Sequence, residues 1–180
     1  MGFNRQTAQG PDVKRGPLLF AVSGIAALLL SASGMIRERL IWNRTASLPQ
    51  GLYWVSQDAF GRGDMVAVSE GSEAAQWAAR HGFTGPGWPL LKEVSGMPGD
   101  LICRENVEIF INGKRVGTAL VSAQNGVRLP RWAGCRTLAD GEVFLLNAHP
   151  QSLDGRYFGV TQASDIDGRA IRVLAVRQAR

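Results

Sequence analysis

The chain has 180 residues, 45% hydrophobic and 19% charged, with 22 glycines and a net charge of +5 at pH 7. That is enough for one globular body with a real core, plus an appendage. The excess positive charge forms no Lys/Arg-rich block, and there is no zinc-spaced Cys/His set and no aromatic stacking motif, so nucleic-acid binding is disfavoured and no metal site is expected.

Residues 1–16 are polar and carry Arg5, Lys14 and Arg15, whereas residues 17–36 carry no charge. At about 1.5 Å per residue, a helix over 17–36 spans a bilayer core of about 30 Å. The expectation is a cytoplasmic N-terminal segment (1–16), a transmembrane helix (17–36) and a soluble domain (37–180). A cleaved secretory signal is the competing reading, with "SASGM" as its small-residue cleavage site. Arg37, Arg39 and Arg44 follow the span, so basic residues flank both ends and the charge bias does not orient it.

The next stretch, "NRTASLPQGLYW" (43–54), places Ser47 two residues before Pro49. A proline fixes its own φ and pushes the preceding residue towards an extended conformation. Ser47 is therefore expected on a constrained, non-helical turn, a setting that suits a nucleophile and equally an ordinary loop. Strands are predicted over 51–57 and 64–69, a helix over 71–81 capped by Ser72, a loop over 82–89 and a strand over 90–96. Alternation at Val107, Ile109 and Ile111 before Asn112-Gly113 predicts a hairpin. Residues 126–140 read as irregular, and 142–147 and 169–176 as the last strands. The soluble part is one mainly-β domain.

Within "PLLKEVSG" a lysine sits among apolar residues. On a strand Lys92 shares a face with Val94, and Leu91 shares the other with Glu93. Lys92 is either a snorkelling surface residue or a buried, neutral base whose usual value of about 10.4 has been lowered by burial. A neutral amine near Ser47 would accept its hydroxyl proton, so the two oddities would explain each other.

In "HPQSLDGRYFG" (149–159), Ser152, Asp154 and Arg156 alternate and would point the same way on an extended stretch. Asp154 and Arg156 read as a charge-assisted pair or as an exposed turn. His149 and Asp154 also invite a triad with Ser47, but no Gly-x-Ser-x-Gly elbow is present. His81 reads as a residue at a helix end. Cys103 and Cys135 are the only cysteines. They suggest a disulfide in an oxidising compartment and free thiols in a reducing one.

In order, the span, the Ser47 motif, "LKEVSGMPGD" (91–100), "VEIFINGKRV" (107–116) and "SLDGRYFG" (152–159) resemble the signal peptidase I family of membrane-anchored serine–lysine proteases. The pattern Asn43-x-Thr45-x-Ser47-x-Pro49-x-Gly51-x-Tyr53, the run "RHGFTGPGWPLLK", the cysteine pair with "WAGC" and Gly155 in Asp-Gly-Arg look like its TraF branch, the conjugative transfer peptidases. General leader peptidases instead have Ser-Met-x-Pro at the nucleophile and Ser at the position of Gly155.

The resemblance implies a signal-peptidase-like β domain. Ser47 matches the nucleophile and Lys92 the general base. Thr45 and the Ser47 backbone N–H match the oxyanion hole, Ser152 the residue that orients the lysine, and Asp154 with Arg156 a structural ion pair. No cofactor is implied. The implied substrate is an exported pilin precursor, with cyclisation of the pilin as one outcome. The implied location is the inner membrane with the domain in the periplasm, and there a Cys103–Cys135 disulfide. The alternatives are a general leader peptidase and a non-catalytic anchored component of a conjugation or secretion apparatus.

Overall fold

The structure is a computed structural model that describes residue 20, residues 22–25 and residues 39–175. The chain divides into two units, 1–38 and 39–180. In the first, the described residues are helical and exposed, with Ser23 Oγ donating to the Phe20 carbonyl at 3.0 Å. Apart from these residues, the expected segments 1–16 and 17–36 lie outside the described residues. Among the described residues no helix is long and apolar enough to cross a membrane.

The second unit is mainly β. Its strands are β1 (Leu40–Asn43), β2 (Gly51–Ser56), β3 (Met65–Val68), β4 (Leu90–Gly96), β5 (Leu101–Glu105), β6 (Glu108–Ile111), β7 (Lys114–Thr118), β8 (Gly134–Thr137), β9 (Glu142–Leu145), β10 (Val160–Gln162) and β11 (Ile166–Ala175). Helix α1 covers Glu73–Arg80 and the short helix α2 covers Gly155–Phe158. A seven-stranded sheet has the order β1-β2-β11-β3-β4-β9-β10, and a four-stranded sheet has the order β7-β6-β5-β8. Neighbouring strands run antiparallel.

Local chemistry accounts for these elements. In β2 the side chains of Tyr53 and Val55 turn inward while Leu52, Trp54 and Ser56 stay half-buried, the period of two expected of a sheet with one face on a core. Ser72 caps α1 by accepting the Ala75 N–H at 3.2 Å, and Ala75 and Ala78 are its buried face. Between β6 and β7, Asn112 (φ 50°) and Gly113 (φ 77°) hold the left-handed conformations that a two-residue hairpin turn needs.

Three apolar clusters position the site. One joins α1 to β3, β4 and β9 through Ala75, Ala78, Val66, Val68, Leu90, Val94, Val143 and Leu145. A second gathers Leu48, Tyr53, Val55, Ala67, Leu91 and Ala170. The third, around Ile102, Ile109, Leu138 and Phe144, packs the smaller sheet against β9.

The structure corrects the sequence reading in two places. Residues 126–140 are not irregular throughout, because Gly134–Thr137 forms β8, paired to β5 alone at a sheet edge. All four of its residues are exposed, so there is no hydrophobic alternation to read. Residues 152–156 are not one extended stretch either, because α2 begins at Gly155. Cys103 and Cys135 lie opposite each other across β5 and β8 and form a disulfide, with Cα atoms 4.0 Å apart.

Candidate active site

Ser47 lies on the turn between β1 and β2. The buried side chain of Asn43, the last residue of β1, organises that turn. Its Oδ1 accepts the Thr45 N–H at 3.0 Å and the Thr45 hydroxyl at 2.7 Å. Its Nδ2 faces the carbonyls of Thr45, Leu48 and Pro49 at 3.3, 3.2 and 3.3 Å. From the other side, Tyr53 donates its hydroxyl to the Pro49 carbonyl at 2.6 Å. Burial raises the Tyr53 phenol above its ordinary value, so it stays a donor, while Arg172 acts in the opposite sense. The Thr45 and Ser47 hydroxyls are 3.0 Å apart.

Lys92 sits in the middle of β4, opposite Val66 of β3, with a relative exposure of 6%. Leu90 and Val94, two positions to either side, belong to the core under α1. Burial of the ammonium lowers Lys92 from its ordinary 10.5 to about 8; Asp154 opposes this and Arg156 reinforces it. The snorkelling alternative does not describe a side chain so enclosed.

The Ser152–Arg156 segment supplies that field. Asp154 caps α2 by accepting the Arg156 N–H at 3.1 Å, and its Oδ2 pairs with Arg156 Nη1 at 2.5 Å. Both side chains are buried. Burial pushes the Asp154 carboxyl up from its ordinary value, and Arg156 and then Lys92 pull it back. Asn147 ties this segment to β4. Its Oδ1 accepts the Glu93 N–H at 2.9 Å, and its Nδ2 donates to the Leu91 carbonyl at 3.3 Å. Its own N–H donates to Asp154 Oδ2 at 3.1 Å, and its carbonyl accepts from Arg156 Nη2 at 2.9 Å. One buried asparagine thus grips the backbone on both sides of Lys92.

The structure joins Thr45 to Ser47 and Asp154 to Arg156. The Ser47 turn and β4 share a core, since Leu48 and Leu91, the chain neighbours of Ser47 and Lys92, belong to the same apolar cluster. Among the described residues no hydrogen bond links Lys92 to Ser47 or to Ser152, and Ser152 Oγ is buried with no partner. His149 is not part of a triad: its Nδ1 accepts from the Gln151 N–H at 3.2 Å. His81 stacks on Trp77, with ring centroids 4.1 Å apart, at the end of α1.

The family model for signal peptidase, peptidase S26, matches residues 13–175. The chain belongs to this family. Plasmid transfer protein TraF of Escherichia coli is 31% identical over 156 residues, covering 81% of this chain and 87% of that protein. Conjugal transfer protein TraF of Agrobacterium fabrum is 32% identical over 161 residues, covering 82% and 90%. A crystal structure of signal peptidase I from Enterococcus faecalis aligns with a TM-score of 0.37 and 19% identity, covering 63% of this chain and 98% of that one.

In this signal peptidase family member, sequence reasoning missed Asn43 and Asn147 as organising residues. Asn43 stood in the quoted pattern without a role. Asn147 had one signal, an amide placed directly after the apolar run Val143–Leu146. A polar side chain ending such a run is buried with it and has to find partners.

Proposed function

We propose that this chain is a membrane-anchored serine protease that matures an exported pilin precursor through an acyl-Ser47 intermediate. The observation that carries the reading is Lys92: a lysine buried on β4 and lowered to about 8, on a strand whose Leu91 packs with the residue next to Ser47. An amine with that value is a competent base near neutral pH. Its hydrogen bond to the nucleophile is expected to tighten once substrate closes the site.

Ser47 Oγ attacks the carbonyl carbon of the scissile bond, and its proton passes to Lys92 Nζ. The oxyanion is met by the Ser47 N–H and the Thr45 hydroxyl. The C–N bond then breaks, and the leaving amine takes the proton back from Lys92. Water, or an amine of the pilin itself, attacks the ester with Lys92 again as base, and Ser47 leaves with its proton restored. Ser152 Oγ, buried and without a partner, is our candidate for the group that orients the lysine. Asp154 and Arg156 hold that segment.

We place the N-terminal segment in the cytoplasm, residues 17–36 across the inner membrane and the domain in the periplasm. The Cys103–Cys135 disulfide supports the periplasmic side, since disulfides persist in oxidising compartments. The likeness to plasmid and conjugal transfer proteins supports the pilin as substrate over general secretory precursors.

The test is the intact mass of the pilin from cells carrying wild-type protein or Ser47→Ala. Precursor is expected to accumulate in the variant. The wild-type product separates hydrolysis from cyclisation, because a ring lacks one water relative to the linear peptide. Identical mature pilin in both strains contradicts the reading.

A further inference from the structure

The geometry points to Asn43 as a positioning residue that aims the Ser47 hydroxyl through Thr45. The inference rests on the protease reading. The amide orientation is settled by its surroundings. One end faces three carbonyls, which only an NH₂ satisfies, and the other faces the Thr45 N–H, which only an oxygen accepts. Asn43 Oδ1 cannot donate, so the Thr45 hydroxyl gives it its single proton at 2.7 Å. Thr45 Oγ1 then meets Ser47 Oγ at 3.0 Å as an acceptor, which makes Ser47 the donor. The chain runs in one direction, from Ser47 Oγ–H to Thr45 Oγ1–H to Asn43 Oδ1.

Two consequences follow for the nucleophile. In the free enzyme its rotor is fixed towards Thr45, and its proton turns to Lys92 when the Thr45 hydroxyl swings to the oxyanion. The Thr45 proton must also leave Asn43 before Thr45 can serve an oxyanion, so Asn43 sets when that donor becomes available. The three contacts from Nδ2 hold the same turn closed, so a single side chain fixes both the backbone and the hydroxyls around Ser47. Asn43 is buried at the end of β1, so it acts on the nucleophile through Thr45 and the backbone of the turn.

The test uses the full-length protein and the precursor that accumulates in the Ser47→Ala strain. Asn43→Ala is expected to lower kcat at least 30-fold with KM within about threefold. In a Thr45→Val background the same substitution is expected to cost at least fivefold less, because the hydroxyl chain is already broken. Equal costs in the two backgrounds, or a loss confined to KM, overturn the positioning role. If Asn43→Ala does not fold, the near-isosteric Asn43→Leu, which offers no acceptor to the Thr45 hydroxyl, is expected to show the same kcat loss. A folded Asn43→Leu with kcat within twofold of wild type overturns the inference. If no precursor accumulates in Ser47→Ala, the protease reading fails and Asn43's role fails with it. If precursor accumulates but Asn43→Ala turns over normally, only the role of Asn43 is lost.

Discussion

At the scale of single residues, Lys92 carries opposite consequences for activity and stability. On the proposed mechanism only the neutral Lys92 amine accepts the Ser47 proton, so kcat/KM is expected to rise with pH and reach half its plateau near pH 8. A profile flat from pH 6 to 9 contradicts Lys92 as base. The stability effect has the reverse logic. Below pH 8 the lysine is charged both folded and unfolded, and burying that charge costs about 3 kcal/mol. Between about 8 and 10.5 the unfolded chain binds the extra proton, so stability climbs with pH over that window. Lys92→Met is therefore expected to abolish processing while raising the denaturation midpoint at pH 7. A loss of stability on that substitution contradicts the burial cost.

Thr45 has a kinetic consequence of its own. Losing one oxyanion donor costs roughly 3–4 kcal/mol in the transition state. Thr45→Val is expected to slow turnover about 100-fold or more, with the fold intact because the Thr45 N–H to Asn43 bond survives. Unchanged kinetics contradict that role. Gly155 has a steric reason to be glycine. A Cβ there would meet the Phe144 ring at 2.6 Å and the Leu145 carbonyl at 2.7 Å. The serine that general leader peptidases carry at this position does not fit here without moving β9.

At the scale of elements, β4 and the Asp154–Arg156 turn work as one unit joined by Asn147. Removing the side chain leaves the Glu93 N–H and the Leu91 carbonyl without this partner, at about 1–3 kcal/mol for each group stranded in the interior. Asn147→Leu is expected to lower the thermal midpoint and to move the kcat/KM midpoint away from 8, since it loosens the strand on both sides of Lys92. A stability loss with an unmoved pH profile confines Asn147 to a structural role.

The elements also show what the sequence made legible. Strands β2 and β6 bury alternate residues, the period of a half-buried sheet, and the Asn112–Gly113 turn carries its own backbone signature, so they could be read directly. β8 and β10 are edge strands of four and three residues, and β8 buries nothing, so pairing alone makes them strands. α2 has four residues and is set by one cap, Asp154, which no periodicity reveals. Lys92 stood out because its type was wrong for its neighbourhood, whereas Ser47 and Ser152 took their roles from the motifs that carry the family resemblance. Asn43 and Asn147 did not, because an asparagine's worth depends on which backbone groups the fold brings within reach.

At the scale of the molecule, the disulfide belongs to the smaller sheet, where it bridges β5 and β8. It closes a sequence separation of 32 residues. In the chain-entropy account that stabilises the fold by roughly 3–4 kcal/mol. The double variant Cys103→Ala/Cys135→Ala is expected to melt about 10 °C lower. A midpoint unchanged under oxidising conditions contradicts that contribution.

The most direct measurement is the mass of the enzyme during turnover. Full-length protein mixed with precursor and quenched in acid is expected to carry the acyl fragment as an ester on the peptide containing Ser47, and Ser47→Ala is expected to carry none and to release no product. Cleavage by Ser47→Ala at the wild-type rate, or an acyl group on another residue, contradicts the account.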